Sequence, residues 1–484
     1  GYPPPREPRE WRRQHTQQRP MAPLALGLAK VGAGLAIGTP VALTGAVVSL
    51  LTKMHGSVGV AAPTKRMLAE EDAKACALFR HLPALAEKIA WRSLGADVTP
   101  IHRCALNTPS GVPVSFFVKR EDLASPVYGG NKVRTLQHQL AVIESKYEAG
   151  DPRCANIHVM GTGGSNQVVA TAVHARERLP KLTALWMDKD VPDLDNTLNM
   201  LSTLSMPLAA KFNWAEPLPV LKRLVGAAFG GDGVVVTAGG NCPAGVLGQV
   251  GGLLELAEQI EAGAMPSPDR IYLPIGSSCT TSGLILGVAL ARHLRLGPFG
   301  GPLRIVGVPV HEAFAMLQAK LGIHRASLSQ YMPLTIRHTL KTTCAELARL
   351  GGPDLHDASL RILHEEVEIL TDADLVGIYG AHSEVSRRAA QAYDATGRLF
   401  EGSGAEVSTP LWVCGHFVAK AFAPLIDDAA KEELRGQTFL LWQTKSAVQP
   451  LGTEDEWAQL AEMPPLVKRW ADDGPAESTL RPGK

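Results

Sequence analysis

One lysine stands where a helix is predicted to begin directly after two glycines. In "PVYGGNKVRTLQHQL" (126–140), Gly129 and Gly130 can take backbone angles closed to other residues and let a planar ligand approach the chain. Asn131 is a good N-cap, which puts Lys132 in the first helical turn, at the positive end of the helix dipole. The dipole and partial burial both lower the pKa of a lysine, favouring the neutral, nucleophilic amine. Taken alone, GGNK is more typical of a surface lysine.

A second glycine-rich loop, "GTGGSNQVVATAVHA" (161–175), follows a predicted strand and opens a helix. Ser165, Asn166 and the backbone N–H groups at a helix start form a site for a carboxylate or a phenolate. The Asn166 amide is equally explained, on its own, as a helix cap.

The third loop, "LPIGSSCTTSGLILG" (273–287), again places small hydroxyl residues between a strand and a helix. Its N–H groups and hydroxyls surround one point, as in a phosphate cradle, and the residues concerned are Gly276, Ser277, Ser278, Cys279, Thr280 and Thr281. The loop lacks GK[ST] and GxGxxG, which disfavours nucleoside triphosphates and dinucleotides. An ordinary polar turn is the alternative.

A lysine nucleophile, an anion and phenolate clamp and a monophosphate cradle together describe a pyridoxal 5′-phosphate site. That coenzyme carries an aldehyde for the lysine, a 3′-oxygen, a ring nitrogen and one phosphate.

The elements that must position these loops alternate between short apolar runs and helical repeats. Strands are predicted at 114–119, 156–160, 182–187, 233–239, 270–276 and 303–310, and helical spacing covers 133–147 and parts of 194–204, 217–228 and 244–262. This alternation predicts an α/β protein whose parallel sheets carry helices on both faces. In such sheets ligands bind beyond the carboxyl ends of the strands, where the three loops lie.

Five motifs occur in an order that resembles a known family: "VKREDL…YGGNKVR", "GGSNQ", "GGNCPAGVLG", "GSSCTTSGLILG" and "FLLWQTK". Over roughly residues 95–450 the chain resembles the fold-type II pyridoxal-phosphate enzymes of the D-cysteine desulfhydrase and 1-aminocyclopropane-1-carboxylate deaminase group. The resemblance implies a two-domain parallel-sheet fold of the tryptophan synthase β-like class. The expected parts are an N-terminal extension (1–75), a large coenzyme-binding domain (76–133 and 246–460), a small α/β domain (134–245) and a tail (461–484).

The resemblance also implies roles for individual residues. Lys132 matches the lysine that forms the Schiff base, and Asn166 matches the asparagine beside the coenzyme's 3′-oxygen. Ser165 matches a serine that contacts substrate and moves a proton, and Gln167 is expected to contact substrate beside it. Loop 276–281 matches the family's GSGGT-type phosphate loop, with Ser278 and Cys279 in place of two glycines.

Three further positions bear on the reaction. Thr444 in "WQTKS" matches the HTGG threonine at the ring nitrogen, where a hydroxyl makes the ring a weaker electron sink than a carboxylate does. Tyr379 matches one aromatic residue over the site. The second, normally a tyrosine, is Trp412 in "TPLWVCGH", which has no phenol.

These residues predict a lyase that catalyses α,β-elimination and deamination of a small amino acid such as D-cysteine, giving pyruvate, ammonia and sulfide. Lys132 would remove the α-proton, with Ser165 and Tyr379 assisting. The alternatives are a 1-aminocyclopropane-1-carboxylate deaminase, which the loss of half of its tyrosine pair disfavours, and a coenzyme-binding relic without catalysis.

Composition adds exclusions. Basic and acidic side chains number 48 and 47, so no net field recruits nucleic acid. Seven scattered cysteines without CxxC predict reduced thiols, and no metal site is expected.

Between residues 21 and 69 there is no acidic residue, and the uncharged run 31–51 predicts a membrane tether, an organelle-targeting segment or a disordered leader. Without such a segment the chain would be cytoplasmic, and a homodimer is expected from the relatives.

Overall fold

The computed structural model describes residues 50, 52–95, 98–175, 179, 181–186, 194–204, 206, 208–212, 217–310, 328–377 and 379–450. Its helices are α1 (Lys65–Glu70), α2 (Ala77–His81), α3 (Lys132–Glu148), α4 (Asn166–Ala175), α5 (Leu194–Leu204), α6 (Pro217–Val225), α7 (Pro243–Glu261), α8 (Cys279–His293), α9 (Leu328–Arg349), α10 (His356–Glu365), α11 (Ala373–Val376), α12 (Glu384–Thr396) and α13 (Val418–Ala429). Its strands are β1 (Ile101–Asn107), β2 (Pro113–Lys119), β3 (Ile157–Gly161), β4 (Leu182–Trp186), β5 (Ala209–Phe212), β6 (Val234–Val236), β7 (Arg270–Ile275), β8 (Arg304–Pro309), β9 (Val367–Ile369), β10 (Arg398–Phe400) and β11 (Phe439–Trp442).

The strands form two sheets. The larger has the order β10-β1-β2-β11-β7-β8-β9, and the smaller has the order β5-β4-β3-β6. The smaller sheet is parallel throughout, as is the larger one from β2 to β9. The predicted α/β fold with mainly parallel sheets is therefore confirmed. The smaller sheet lies within residues 134–245 and the larger sheet outside them, although the predicted domain boundaries themselves stay predictions.

One edge of the larger sheet differs from the expectation of wholly parallel sheets. β1 pairs antiparallel with both β2 and β10. Only a short turn at residues 108–112 joins β1 to β2, and a connection that short returns the chain antiparallel because a parallel pair needs a long crossover. Both strands alternate buried and exposed side chains, whereas β7 and β8 are buried along nearly their whole length.

The helix that begins at Lys132 is held by very close packing. Its residues 133–145 are buried, and α7 crosses it at Gly248, where an added Cβ would lie 1.9 Å from the carbonyl oxygen of Arg134. α8 packs on α7 in the same way, since a Cβ on Gly283 would lie 2.2 Å from the Cβ of Gln249. The glycines let three helix backbones approach one another, which fixes the start of α3 relative to the start of α8.

Part of the predicted N-terminal extension packs against the core. Val58 and Met67 are buried in the same hydrophobic cluster as α3, and Arg66 forms ion pairs with Glu144 at 2.6 Å and with Glu148, both on α3. The segment 31–51, apart from Leu50, and the tail 461–484 lie outside the described residues. Among the helices that the structure describes, none combines the length and the apolar character needed to cross a bilayer.

Candidate active site

Five loops meet where the carboxyl ends of the two sheets face each other. β2, β11 and β7 are neighbours in the larger sheet, and the segments that follow them are YGGNK, QTKS and the loop 276–281. In the smaller sheet, β3 and its neighbour β6 lead into the SNQ loop and the turn at Gly239. Asn131 joins two of these loops, because its Nδ2 donates to Thr280 Oγ1 at 2.8 Å and its backbone N–H donates to Thr444 O at 3.3 Å.

Lys132 is the first residue of α3, as predicted, and its half-buried side chain extends between the loops. Nζ donates to the carbonyl oxygen of Gly239 at 3.2 Å. Burial lowers the pKa of Lys132 below the ordinary lysine value, and neighbouring Cys279 opposes that shift only partly. The geometry therefore favours a neutral amine, which is the state that attacks an aldehyde.

Asn131 does not cap α3 with its side chain, so that prediction is wrong. Its backbone is already helical (φ −55°, ψ −19°), and no capping hydrogen bond forms. A helical backbone turns the carboxamide away from the N–H groups of the first turn, and the carboxamide instead donates to Thr280. Its contribution is to tie the lysine loop to the loop that precedes α8.

The loop 276–281 has the backbone of an anion site at the start of α8. Ser278 precedes the helix with φ 69°, a left-handed conformation that glycine takes easily and that costs another residue about 1–2 kcal/mol. The serine that replaces a family glycine therefore keeps the loop shape. Thr281 Oγ1 and Ser282 Oγ are buried without a hydrogen-bond partner among the described residues. Free hydroxyls and unpaired N–H groups at a helix start suit a phosphate.

Cys279, the second replacement for a glycine, is a buried neutral thiol. Burial raises its pKa to about 12, and the proximity of Lys132 opposes that shift without cancelling it. Its Sγ lies 3.7 Å from the Gly240 carbonyl oxygen and 3.8 Å from Thr135 Oγ1. A thiol in this state is a weak nucleophile, so Cys279 fills space under the phosphate loop. The other six cysteines are also buried and free, as the reduced-thiol prediction required.

The SNQ loop presents Asn166 at the start of α4 with its oxygen already engaged. Asn166 Oδ1 accepts from Asn199 Nδ2 at 2.7 Å and from the Tyr128 hydroxyl at 3.0 Å. This fixes the carboxamide so that Nδ2 is the group able to donate toward a ligand. Ser165 Oγ accepts from Val168 N at 3.4 Å, which leaves its O–H as a donor.

Gln167 lies deeper than the other two residues of the loop. It is buried, donates to Thr171 Oγ1 at 3.1 Å on its own helix and packs beside Gly240. A contact of Gln167 with substrate stays a prediction.

Thr444 lies in the segment after β11, between the lysine loop and the aromatic residues. Its Oγ1 is buried and has no hydrogen-bond partner within the described part of the chain. A hydroxyl that is buried and unpaired costs free energy unless a ligand satisfies it, so its position suits the pyridine nitrogen of the coenzyme. Lys132, the loop 276–281 and Thr444 thus offer partners for an aldehyde, a phosphate and a ring nitrogen, and the residues fit the group.

The two predicted aromatic residues contact different segments of the site. The Tyr379 hydroxyl is 3.3 Å from Thr162 Oγ1 at the SNQ loop, and its ring meets His416 edge-on at a centroid distance of 4.4 Å. Trp412 is buried against the QTKS segment, where Lys445 Nζ lies 4.2 Å from the centre of its ring.

The sequence reasoning missed three residues of the site: Lys445, Tyr128 and Asn199. The departure of QTKS from HTGG was a signal for Lys445.

A cluster of buried charges holds the start of α3. Arg134 Nε is 3.0 Å from Glu121 Oε2, and Arg134 Nη1 is 2.7 Å from Glu255 Oε2 on α7. Lys119, at the end of β2, reaches Glu255 at 2.5 Å. Burial raises the pKa of Glu255, but the charges of Arg134 and Lys119 outweigh burial and lower that pKa overall. The VKREDL motif therefore supplies the charged residues Lys119 and Glu121, which hold the start of α3. Lys132 lies there, two residues before Arg134.

Comparisons with known proteins agree with this geometry. Residues 92–407 match the family described as "Pyridoxal-phosphate dependent enzyme". Nocardicin C-9' epimerase of Nocardia uniformis subsp. tsuyamanensis is 33% identical over 205 residues, which are 41% of this chain and 58% of that protein. A putative 1-aminocyclopropane-1-carboxylate deaminase of Pyrococcus abyssi (strain GE5 / Orsay) is 27% identical over 180 residues, 37% of this chain and 52% of that one. The chain thus spans a little over half of the length of these relatives.

The fold has a counterpart among solved structures. The crystal structure of an ACC deaminase homologue superposes with a TM-score of 0.51 at 20% identity, and the superposition covers 78% of this chain and 98% of the other. The family match spans Lys132, the SNQ loop and the loop 276–281, while Trp412 and Thr444 lie beyond it. The chain therefore belongs to the pyridoxal-phosphate dependent enzyme family, and its coenzyme is pyridoxal 5′-phosphate.

Proposed function

We propose that the protein is a lyase that catalyses α,β-elimination from a small amino acid, in the manner of a D-cysteine desulfhydrase, and releases pyruvate, ammonia and sulfide. The observation that carries this proposal is the buried, unpaired hydroxyl of Thr444. A hydroxyl donates to a neutral ring nitrogen and brings no charge that would keep the nitrogen protonated. A weaker electron sink favours departure of a β-substituent over return of the proton at the coenzyme.

When bound, pyridoxal phosphate supplies an aldehyde that takes up the substrate amine and a ring that withdraws electrons from Cα. Lys132 would hold the aldehyde until the substrate amine displaces it and would then take the α-proton on Nζ. Burial lowers the pKa of Lys132, which favours the neutral form of the freed amine. The hydrogen bond from Nζ to Gly239 O, at 3.2 Å, turns one N–H toward the protein, so that the lone pair can face substrate.

Ser165 and Tyr379 would complete the reaction. The Ser165 O–H and the N–H groups at the start of α4 would bind the substrate carboxylate, because the N-terminus of a helix favours an anion. The Tyr379 hydroxyl is 3.3 Å from Thr162 Oγ1, close to that loop, and would give a proton to the departing thiolate. The Cα–H and Cβ–S bonds of the substrate would break, the Cα–H electron pair would form the Cα–Cβ double bond, and the Cβ–S pair would leave with sulfur. Lys132 would then displace the product amine, and the released product would take up water to give pyruvate and ammonia.

The deaminase alternative is less well supported. Opening a cyclopropane ring in that group uses two phenols, and here Trp412 stands where the second is expected. The indole N–H is a donor only and does not exchange a proton as a phenol does.

A second candidate is epimerisation of an amino acid, because the relative that is 33% identical over 205 residues is an epimerase. Epimerisation would share the removal of the α-proton by Lys132. It differs afterwards, since a proton returns to Cα on the opposite face and no bond at Cβ breaks.

One experiment separates these activities. Purified enzyme loaded with coenzyme is incubated in ²H₂O with D- and L-amino acids that carry a β-leaving group, and NMR follows deuterium at Cα, inversion and pyruvate. Elimination predicts pyruvate with one enantiomer of cysteine. Inversion with deuterium at Cα and no pyruvate supports epimerisation, and a coloured protein inert on the whole panel contradicts both. Lys132→Ala should lose every signal, while Lys74→Ala, on the exposed surface, is the matched control.

A further inference from the structure

Lys445 is a buried lysine whose ammonium reaches three carboxamide oxygens within the described part of the chain. It is 1% exposed and directly follows Thr444. Its Nζ lies 2.8 Å from Gln449 Oε1, 2.9 Å from Asn199 Oδ1 and 3.4 Å from Asn166 Oδ1. Three carboxamide oxygens match the three N–H donors of a charged ammonium, because a neutral amine has only two. The arrangement therefore supports a cation at the site.

Two aromatic rings face the same cation. Nζ lies 4.2 Å from the centre of the Trp412 ring and 5.7 Å from that of Tyr128. A cation over the face of an indole is stabilised by the ring, most strongly when both are removed from water. Lys445 and Trp412 belong to QTKS and TPLWVCGH, the two segments that depart most from the family pattern. The two divergent segments are therefore in contact through these residues, which we call the Lys445–Trp412 pair.

We propose that Lys445 is a positioning residue whose charge, held by Trp412, sets the pH at which the bound coenzyme changes protonation. The charge acts through Asn166, whose oxygen accepts from Lys445 and whose amide nitrogen is expected at the 3′-oxygen of the coenzyme. A cation behind the carboxamide makes that N–H a stronger donor and favours the anionic form of the oxygen it meets. The inference rests on coenzyme binding and is independent of elimination or epimerisation.

Other titratable groups lie around the same space, and each variant in the test changes only one residue. The Tyr128 hydroxyl donates to Asn166, and His174 Nε2 is 2.9 Å from the Tyr128 carbonyl oxygen. Among the residues that the structure describes, Lys132, Cys279, Tyr379 and His416 also lie around the site. Because every variant below keeps the other groups, a shift between variants reports the residue that was changed.

The test is a pH titration of the visible absorbance of the bound coenzyme, without substrate. Lys445→Met removes the charge, and its absorbance midpoint should rise by about one pH unit, because a nearby positive charge favours the anionic form of the titrating group. Lys445→Arg keeps the charge and should stay near the wild-type midpoint. Tyr128→Phe removes a neutral donor to the same Asn166 oxygen and should shift the midpoint by less than about 0.3 units.

A Lys445→Met enzyme that binds coenzyme and titrates at the wild-type midpoint overturns the proposal, as does a Tyr128→Phe shift of equal size. If the Met variant does not fold, Lys445→Gln tests the same point, since glutamine keeps a donor but no charge. A wild-type midpoint in that variant refutes the inference, and a raised one supports it. The elimination proposal is judged by pyruvate release, so the two can fail separately.

Discussion

Gly239 brings the lysine and the phosphate loop together, and replacing it by alanine tests that geometry. Its φ is 66°, a region that costs alanine about 1–2 kcal/mol. An added Cβ would lie 2.1 Å from Ser277 Oγ and 2.5 Å from Ser277 Cβ. Rotation of the serine side chain relieves only the first contact, because the Cβ position is fixed by the backbone. The loop 276–281 must therefore move, at a further cost of about 1–3 kcal/mol.

Gly239→Ala should lower the free energy of unfolding of the coenzyme-free protein by about 2–5 kcal/mol. It should also weaken coenzyme binding at least about tenfold, because each 1.4 kcal/mol lost from the phosphate contacts is a factor of ten. Thermal or denaturant unfolding gives the first quantity, and titration of coenzyme into the coenzyme-free protein, followed by visible absorbance, gives the second.

Gly263→Ala is the matched control. Gly263 has φ 83°, and nothing lies within 4 Å of an added Cβ. The Gly263→Ala variant should lose about 1–2 kcal/mol in free energy of unfolding and keep its affinity for the coenzyme. Gly239→Ala with wild-type coenzyme affinity, or equal losses of affinity in both variants, would refute the placement of the phosphate beside Ser277.

Three other perturbations test the site from different sides. Thr444→Val should leave the coenzyme-free protein as stable or about 1 kcal/mol more stable, since an unpaired hydroxyl is removed, yet weaken coenzyme binding about fivefold to tenfold in the same titration; unchanged affinity would contradict a contact with the ring nitrogen. For Lys132, burial lowers the folded-state pKa, so between that pKa and the ordinary value the unfolded chain binds more protons and stability of the coenzyme-free protein rises with pH. Lys132→Met should reduce that slope in unfolding experiments carried out below the ordinary lysine pKa of about 10.4, and an unchanged slope would argue against burial of the amine. Trp412→Leu and Lys445→Met, singly and together, should show a coupling of about 1–2 kcal/mol in unfolding free energy, whereas additive losses would disprove their contact.

The sequence predicted the parts of the fold that carry strong local patterns. The near-continuous apolar runs of β7 and β8 and the helical spacing of α3 and α7 appear where expected, within one or two residues. The four-residue strands β5 and β11 were not predicted, because runs so short have too little periodicity to stand out and are strands only by virtue of their neighbours. Strand β1, which lies between β10 and β2, was missed as well, because the polar residues His102, Arg103 and Asn107 interrupt its apolar pattern.

The candidate site divides in the same way. Glycine-rich turns between a strand and a helix identified Lys132, Asn166 and the loop 276–281, because the chemistry of each loop is local. Contacts between distant segments were not visible in the sequence. The pairing of Lys445 with Trp412 and the bond from Asn131 to Thr280 depend on which strands are neighbours in the sheet. The Asn131 cap was predicted from propensity, and a tertiary hydrogen bond overrode it.

The central claim is that Lys132, and no other lysine, holds the coenzyme. Reduction of the loaded enzyme with borohydride converts the lysine–coenzyme bond into a stable secondary amine, and peptide mass spectrometry then locates the phosphopyridoxyl group. The structure predicts the label on the peptide that contains Lys132, with none on Lys445, which is fully buried beside the site. A label on Lys445, or on any lysine other than Lys132, would contradict the account.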